Sequence, residues 1–522
     1  MFRHREKIVL AITTAVILFL VFYNLGNTPR SWHDEGASLL VAKTLAEDGV
    51  YGSKNGGEYE TFGPIQSVGP TVLLPVAAAF KLFGVGLLPG RGVAAVYTLL
   101  TLLLFYLTGR ALFGKLAAWL GLFFLLASPA VGFLVYGRQL LGEVPAFAFF
   151  LLAFLAWLKG LRSGRRAFYV VAGLALGAAM ITKSQYVLMV AGTLFFLVIA
   201  DRFYYRQQNG KWLILVGILA YGCFFAWVGW QYGYFGAETF GENAAALQQL
   251  AASTTGFHLP SVKEALKFLL GEGSGYLYFY WGILAFLYVG FLSLRRSKEG
   301  LSLAFLCLLV LLWLAYFAFW IIPWRNYALP PLSLLALFVG KLFADLASGL
   351  YTSRGEFKQQ LASYTRGGGS LNAQTLLSLG TLVALITMLV LTLFQFQQII
   401  AASVLNVEGH YIASVLNEIV DEDAVIETWE RELGILTGHY YHYPAQTKLV
   451  QTHPAVFRQE LGEDYSLGES YMQSVGATYL VIGWFGRWTG IYNEDFLSDH
   501  GELVATVGVG DWRYEVYELK ER

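Results

Sequence analysis

Charge is scarce in this chain. Asp, Glu, Lys and Arg make up 14% of its 522 residues against 56% hydrophobic, where a soluble globular protein carries about 25% charge. Lys plus Arg and Asp plus Glu number 36 each, so no basic excess is available to recruit nucleic acid. Cysteine is scarcer still. Cys223 and Cys307 are the whole complement, both inside apolar runs, which leaves nothing to support a disulfide framework, a CxxC redox pair or a thiolate metal site. The repeated halves from which many transporters are built are also missing.

Long apolar runs are what the chain has instead. Candidate spans are 8–25, 66–83, 92–108, 116–133, 146–158, 167–182, 186–200, 212–230, 276–292, 302–321, 326–344 and 375–398, most of them near the about 20 residues that a bilayer requires. The first follows RHREK but lacks a small-x-small cleavage pattern, so it reads as a retained span. Basic residues gather in RHREK, in 159–166, 201–211 and 295–298, and around Arg354–Lys358. The positive-inside rule places these in the cytoplasm. Loops 26–65 and 232–275, the turn 321–327 and everything after 398 then fall outside. That arrangement needs an odd number of crossings. The excess lies between 66 and 158: either 66–83 does not fully cross, or the helix breaks near Ser128–Pro129. Eleven or thirteen helices are expected.

Residues 399–522 differ. Charges return, and DAVIET, ATYLVIGWF, ELVATVGV and YEVYEL read as strands, while ETWERELGILTG has helical spacing. A membrane region 1–398 followed by a small α/β domain 399–522 is the expected organisation. In loop 232–275, VKEALKFLL (262–270) reads as an amphipathic helix on the outer surface.

Ionisable residues beside hydrocarbon are the natural places to look for chemistry. In TPRSWHDEGASLL, Asp34 and Glu35 stand where the first span ends. Capping of a following helix would account for them; so would a carboxylate that deprotonates an acceptor hydroxyl or helps hold a divalent cation. His33 beside them is a weaker candidate. In LVYGRQLLGEVPAF, Arg138 and Glu143 are either a structural ion pair or a contact to an anionic group and one to substrate hydroxyls or a cation. Lys183 in MITKSQYVLM either snorkels or meets a phosphate. Arg325 in WIIPWRNYALPPL either anchors an aromatic belt or binds phosphate in a fork. The carboxylate pair, Lys183 and Arg325 all project onto one side of the membrane.

The order of these segments resembles the integral-membrane glycosyltransferases of the GT-C fold, in the branch of the lipid A aminoarabinose transferases and protein O-mannosyltransferases. The resemblance is carried over residues 8–345 by SWHDEGASLLVAKTLAEDG, FGPIQSVGPTVLLPVAAAFKLFGVGLLPGRGVAAVYTLLTLLLFYLTGRALFG, SPAVGFLVYGRQLLGEVPAFAFF, GLALGAAMITKSQY and WRNYALPPL. It implies an all-α polytopic membrane enzyme with an extracytoplasmic C-terminal domain. The reaction it implies is inverting transfer of a sugar from a polyprenyl-phosphate donor to a lipid, glycan or protein acceptor on the outer face of a prokaryotic cytoplasmic membrane. Asp34, followed by Glu35, matches the family's first-loop acid, and Glu143 its second acidic site. Lys183 and Arg325 match basic residues that handle the lipid phosphate. A divalent cation is often used, here falling to Asp34 and Glu143. Two departures are evident: YETFGPIQ stands where aminoarabinose transferases carry a Lys-Pro-Pro element, and GASLLVAK lacks the tyrosine that often follows the acidic pair. The WWDYG-type signature of oligosaccharyltransferases is absent. The alternative class is a transporter or flippase of lipid-linked sugars.

Overall fold

The computed structural model describes residues 2–61, 68–128, 131–271, 275–352, 375–376, 378–387, 390, 394, 408–445, 448–453, 456 and 465–520. Apolar runs become helices because a backbone in hydrocarbon must bond to itself. In chain order they are α1 (Phe2–Phe22), α2 (His33–Glu47), α3 (Pro70–Phe83), α4 (Leu87–Phe113), α5 (Lys115–Ala127), α6 (Phe133–Tyr136), α7 (Glu143–Ser163), α8 (Arg166–Thr182), α9 (Gln185–Ala200), α10 (Gly210–Phe235), α11 (Ala237–Thr254), α12 (Leu259–Gly271), α13 (Gly275–Ser293), α14 (Lys298–Phe319) and α15 (Leu329–Thr352). Among the described residues, six helices are long and apolar enough to cross a membrane, and six further apolar helices are shorter. The protein is a multi-pass membrane protein.

Helix α7 is central. Phe147, Phe150 and Phe154 stack along it and meet Phe305 of α14 and Tyr186 of α9, the offset ring contacts that a dry core favours. Helix α10 keeps most of its surface outward, as a lipid-facing helix does. The two places where the crossing count was in doubt are both short. α3 has 14 residues, about 21 Å of helix against a hydrocarbon core of about 30 Å. The run 116–133 stops being helical at Ala127, and only α6 intervenes before α7. Pro129, the basic stretch Arg354–Lys358 and ten of the 24 residues of span 375–398 lie outside the described residues; within that span Ser378–Thr387 is helical.

The amphipathic segment 262–270 lies within α12, as its spacing predicts. Helix α11 precedes it in the same loop, where the sequence reading had placed no helix. The other external loop forms α2 and a hairpin of β1 (Gly52–Asn55) and β2 (Glu58–Thr61).

Residues 408–520 build one five-stranded sheet, from β3 (Val425–Thr428), β4 (Tyr440–His442), β5 (Tyr479–Ile482), β6 (Gly501–Val507) and β7 (Tyr514–Leu519), in the order β4-β3-β5-β7-β6. β3 is parallel to β4 and β5; β7 is antiparallel to β5 and β6. The pleat sends alternate residues to opposite faces. Tyr479 and Val481 enter a core shared with Leu39, Leu40 and Val41 of α2 and Val72 and Val76 of α3. Leu480 and Ile482 face a second core with Trp429, Phe485 and Tyr492. The C-terminal sheet is thus packed directly onto the first loop. In ETWERELGILTG only Leu433–Leu436 is helical; the remainder is the strand end and a turn against α2.

Candidate active site

Helix α2 begins at His33, so Asp34 and Glu35 leave it about 100° apart and reach different surroundings. Glu35 is fully buried. Arg91 of α4 grips it in a fork, Nε to Oε1 at 2.8 Å and Nη2 to Oε2 at 2.6 Å, and the Leu140 amide adds a third bond at 3.1 Å. The Arg91 Nη1 donates to the Leu25 carbonyl at 3.0 Å. Glu35, expected beside the chemistry, instead pins α2, α4 and the chain after α1 together. Arg91 was not among the sequence candidates, although a lone arginine in an apolar run was a visible signal.

Asp34 opens onto a cavity of about 320 Å³. The cavity lies between α2, the junction of α8 and α9, α11, the turn after α14 and the C-terminal sheet region. Its polar lining includes His33, Asp34, Lys183, Gln185 and Tyr327; Leu188, Leu247, Leu250, Ile321 and Ile322 make an apolar side, and Leu449 and Phe485 come from the C-terminal region. Enclosure by protein pushes the Asp34 carboxyl up to about 6, with Lys183 pulling it partly back and Glu143 adding to the rise. A carboxyl raised toward neutrality in this way is suited to accepting a proton there.

Lys183 is presented by a break. α8 ends at Thr182, Lys183 is extended, and α9 starts at Gln185. The break is held by a short β-bridge from Lys183 to Val68 and by Gly69 N–H to the Thr182 carbonyl at 3.1 Å. Only glycine fits there, since a Cβ on Gly69 would lie 1.6 Å from the Ile181 carbonyl oxygen. The Lys183 ammonium meets Glu143 Oε1 at 2.8 Å, and Asn326 Nδ2 donates to the same oxygen at 2.8 Å. An ion pair between Glu143 and Arg138, one of the two alternatives the sequence left open, does not form. Arg138 is buried and donates to the Tyr23 carbonyl, away from the cavity lining. Arg325 is exposed, packs its guanidinium over Phe268 of α12 at 5.4 Å and neighbours the cavity residue Trp324.

The donor set does not amount to a divalent cation site. Among the described residues no three His, Cys, Asp or Glu gather. One Glu143 oxygen is matched by an ammonium, leaving Oε2 without a partner, and a hard cation asks for six or more oxygens. The positive charge next to Asp34 and Glu143 is the Lys183 ammonium.

The α2 helix is clamped from the sheet side. His33 Nδ1 donates to the Trp429 carbonyl at 2.8 Å and the ring stacks on Phe485 at 3.9 Å. Lys43 Nζ donates to the Gly434 carbonyl at 2.9 Å. Gly36 touches the Arg431–Glu432 backbone, where a Cβ would come 2.2 Å from the Glu432 nitrogen. Asp34 is therefore placed by both the bundle and the C-terminal region.

Comparison with known proteins agrees with this architecture. Residues 67–230, about a third of the chain, match the dolichyl-phosphate-mannose-protein mannosyltransferase family. The sequence matches no curated protein. The structure is similar to ArnT from Cupriavidus metallidurans bound to undecaprenyl phosphate, with a TM-score of 0.59, 14% identity and 97% of each chain covered. Its apo state gives 0.62 with 14% identity and 98% of each chain covered. It is also similar to the archaeal oligosaccharyltransferase AglB from Archaeoglobus fulgidus in complex with an inhibitory peptide and a dolichol-phosphate, at 0.58 and 14% identity over 98% of this chain and 74% of that one. The helical bundle and its packed C-terminal region are those of the GT-C fold.

Proposed function

We propose that this protein is an inverting glycosyltransferase that moves a sugar from a polyprenyl-phosphate donor onto an acceptor hydroxyl. The observation that carries the reading is the cavity that joins an Asp34 carboxylate, a Lys183 ammonium and an apolar wall at the sheet end of a GT-C bundle. Neighbours of the same fold bind undecaprenyl phosphate and dolichol-phosphate, and the pairing of cationic and apolar lining suits such a lipid-linked phosphate.

In this reading the acceptor hydroxyl lies against Asp34, which orients it and takes its proton. The acceptor oxygen bonds to the anomeric carbon from the face opposite the phosphate. The bond from that carbon to the phosphate oxygen breaks, and the electron pair leaves on the phosphate. A lipid phosphate is a stable anion, so no general acid is required. Lys183 balances its growing charge from inside a low-dielectric cavity, and Arg325 meets the headgroup from the rim. Glu143 holds Lys183 in place, while Glu35 and Arg138 support the scaffold. Helix α11 roofs the cavity and limits water, which would otherwise hydrolyse the donor. In this reading the basic loops face the cytoplasm and this end of the bundle lies outside a prokaryotic cytoplasmic membrane, with the C-terminal domain extracytoplasmic. Leu449 and Phe485 on the cavity wall support a part for that domain in the site.

The test is purified protein in liposomes with polyprenyl-phosphate sugar and a panel of lipid, glycan and peptide acceptors. Transfer of label from donor to an acceptor is expected, with inverted anomeric configuration. Movement of intact donor across the bilayer without transfer would overturn the reading in favour of a flippase.

A further inference from the structure

Five of the 14 tryptophans meet at one place although they come from four separate parts of the chain. Trp32 precedes α2, Trp324 follows α14, Trp484 and Trp488 share the short helix Trp484–Thr489, and Trp512 ends the turn Gly510–Trp512. Trp484 stacks on Trp512 at 5.0 Å and 15° and on Trp488 at 5.5 Å and 9°. Trp32 lies 6.0 Å from Trp324 and 6.1 Å from Trp484, and Trp324 lies 5.3 Å from Trp488. None of the five is buried, and Trp512 is 38% exposed. Trp324 is also a wall of the Asp34 cavity, as is Phe485, which follows Trp484 in the short helix. The slab of rings therefore starts at the carboxylate's cavity and runs outward over the C-terminal region.

Packing accounts for only part of this group. Trp484 and Trp488 lean on the core under one face of the sheet, whereas Trp32, Trp324 and Trp512 belong to no core cluster among the described residues. Tryptophan is also common where a protein meets lipid headgroups, but such belts sit at the ends of spanning helices. Here only Trp324 does. The other rings are fringed by charge: the Arg30 guanidinium lies over Trp512 at 4.9 Å, and Arg487, one turn from Trp484, pairs with Glu515 at 3.0 Å, as does Arg513 at 2.7 Å. Trp484 is held between Trp488 and Trp512, so the ring surface left open is at the ends of this stack, where Trp512 is 38% exposed. Ring surface bordered by fixed hydrogen-bonding charges fits a ligand with one C–H face and a hydroxylated edge. A pyranose ring is such a ligand: its axial C–H bonds lie against aromatic faces, while its hydroxyls reach the fringe.

We infer that the Trp32–Trp324–Trp484–Trp488–Trp512 platform is the acceptor subsite and that the acceptor it takes is a saccharide, a glycan or the sugar headgroup of a glycolipid. The inference rests on the transferase reading for the word acceptor; saccharide binding itself does not depend on it.

The test therefore reads binding apart from turnover. Tryptophan emission of the full-length protein in detergent is titrated with soluble chitobiose, maltose and mannobiose. A saturable change with at least one of them, with Kd on the order of millimolar, is expected. Trp512→Phe and Trp484→Ala, checked for an unchanged melting temperature, should weaken it about tenfold, whereas Gly229→Ala on α10, where a Cβ would meet nothing within 4 Å, should leave it intact. In bilayer discs containing acyl-brominated phosphatidylcholine, the emission lost in a Trp484→Phe/Trp488→Phe/Trp512→Phe variant should be the unquenched part of the wild-type signal. No response to any of the three sugars overturns the inference, and quenching of the platform by brominated lipid would reassign it as a membrane anchor. Saccharide binding with no transfer from any donor would count against the transferase reading and leave the site standing.

Discussion

Gly36→Ala should slow the enzyme far more than it unfolds it. An ideal Cβ on Gly36 would lie 2.2 Å from the Glu432 nitrogen and 2.5 Å from the Arg431 carbonyl carbon. Both are backbone atoms, so no side chain can swing aside. Restoring an ordinary contact of about 3.4 Å requires α2 and the 429–434 turn to separate by about 1 Å, an overpacking strain of about 1–3 kcal/mol. Gly36 is two residues from Asp34 and three from His33, whose 2.8 Å bond to the Trp429 carbonyl fixes the start of the helix. A reacting group misplaced by about 1 Å can cost about 10²-fold in rate. The assay is kcat at saturating donor, together with the melting temperature, for Gly36→Ala. The control is Gly229→Ala on α10, where a Cβ would meet nothing within 4 Å. The expected result is kcat down by about two orders of magnitude with a folded protein and an unaffected control. A Gly36→Ala enzyme with wild-type kcat would refute the claim that the C-terminal region sets the position of Asp34.

Other perturbations should separate scaffold from chemistry. Arg91→Met leaves the Glu35 carboxylate buried and unpaired and should cost about 3–5 kcal/mol of stability, read as a loss of melting temperature that Arg91→Met/Glu35→Gln partly restores. Lys183→Met should lower both stability and kcat; adding Glu143→Gln should return the stability without the rate, because only the charge on the leaving phosphate then lacks its partner. The pH–rate profile should rise with unit slope to a plateau above about 6, because Asp34 must be ionised to accept a proton and enclosure holds it protonated below that value. In the C-terminal region burial raises Glu430 to about 7 from 4.5. The folded chain therefore holds this proton more tightly than the unfolded one. The stability it contributes is present below pH 4.5 and lost as the pH rises through about 7, so the melting temperature should fall over that interval and Glu430→Gln should flatten the fall.

Much of the bundle was legible because hydrocarbon imposes one simple rule on the backbone. Run 212–230 lies inside α10 and run 302–321 nearly coincides with α14. The same rule failed where polar chain closes the bundle. Helix α11 is rich in Ala and has no long apolar run to mark it, yet Leu247 and Leu250 line the cavity. Strand β4 is three residues long, too short to show alternation. Asp34 and Lys183 could be picked out as charges in costly places, and the fold brings both to one cavity. Arg138 and Glu35 looked equivalent in sequence but were drawn into scaffold contacts with the Tyr23 carbonyl and Arg91. Helical spacing alone separates Glu35 from Asp34 once the helix start is known. Asn326 and the Trp429 carbonyl carry no local signal, since their roles depend on residues 183 and 396 positions away in the chain.

In the proposed reaction Asp34 is the group that takes the acceptor's proton. The direct measurement is sugar transfer by purified Asp34→Asn alongside its affinity for polyprenyl phosphate. Asparagine keeps the shape and cannot accept the proton, so transfer should fall by about 10²–10⁴-fold and the dependence on a group near pH 6 should vanish, while polyprenyl-phosphate binding at Lys183 persists. Transfer at the wild-type rate with the pH profile unchanged would show that Asp34 is not the base.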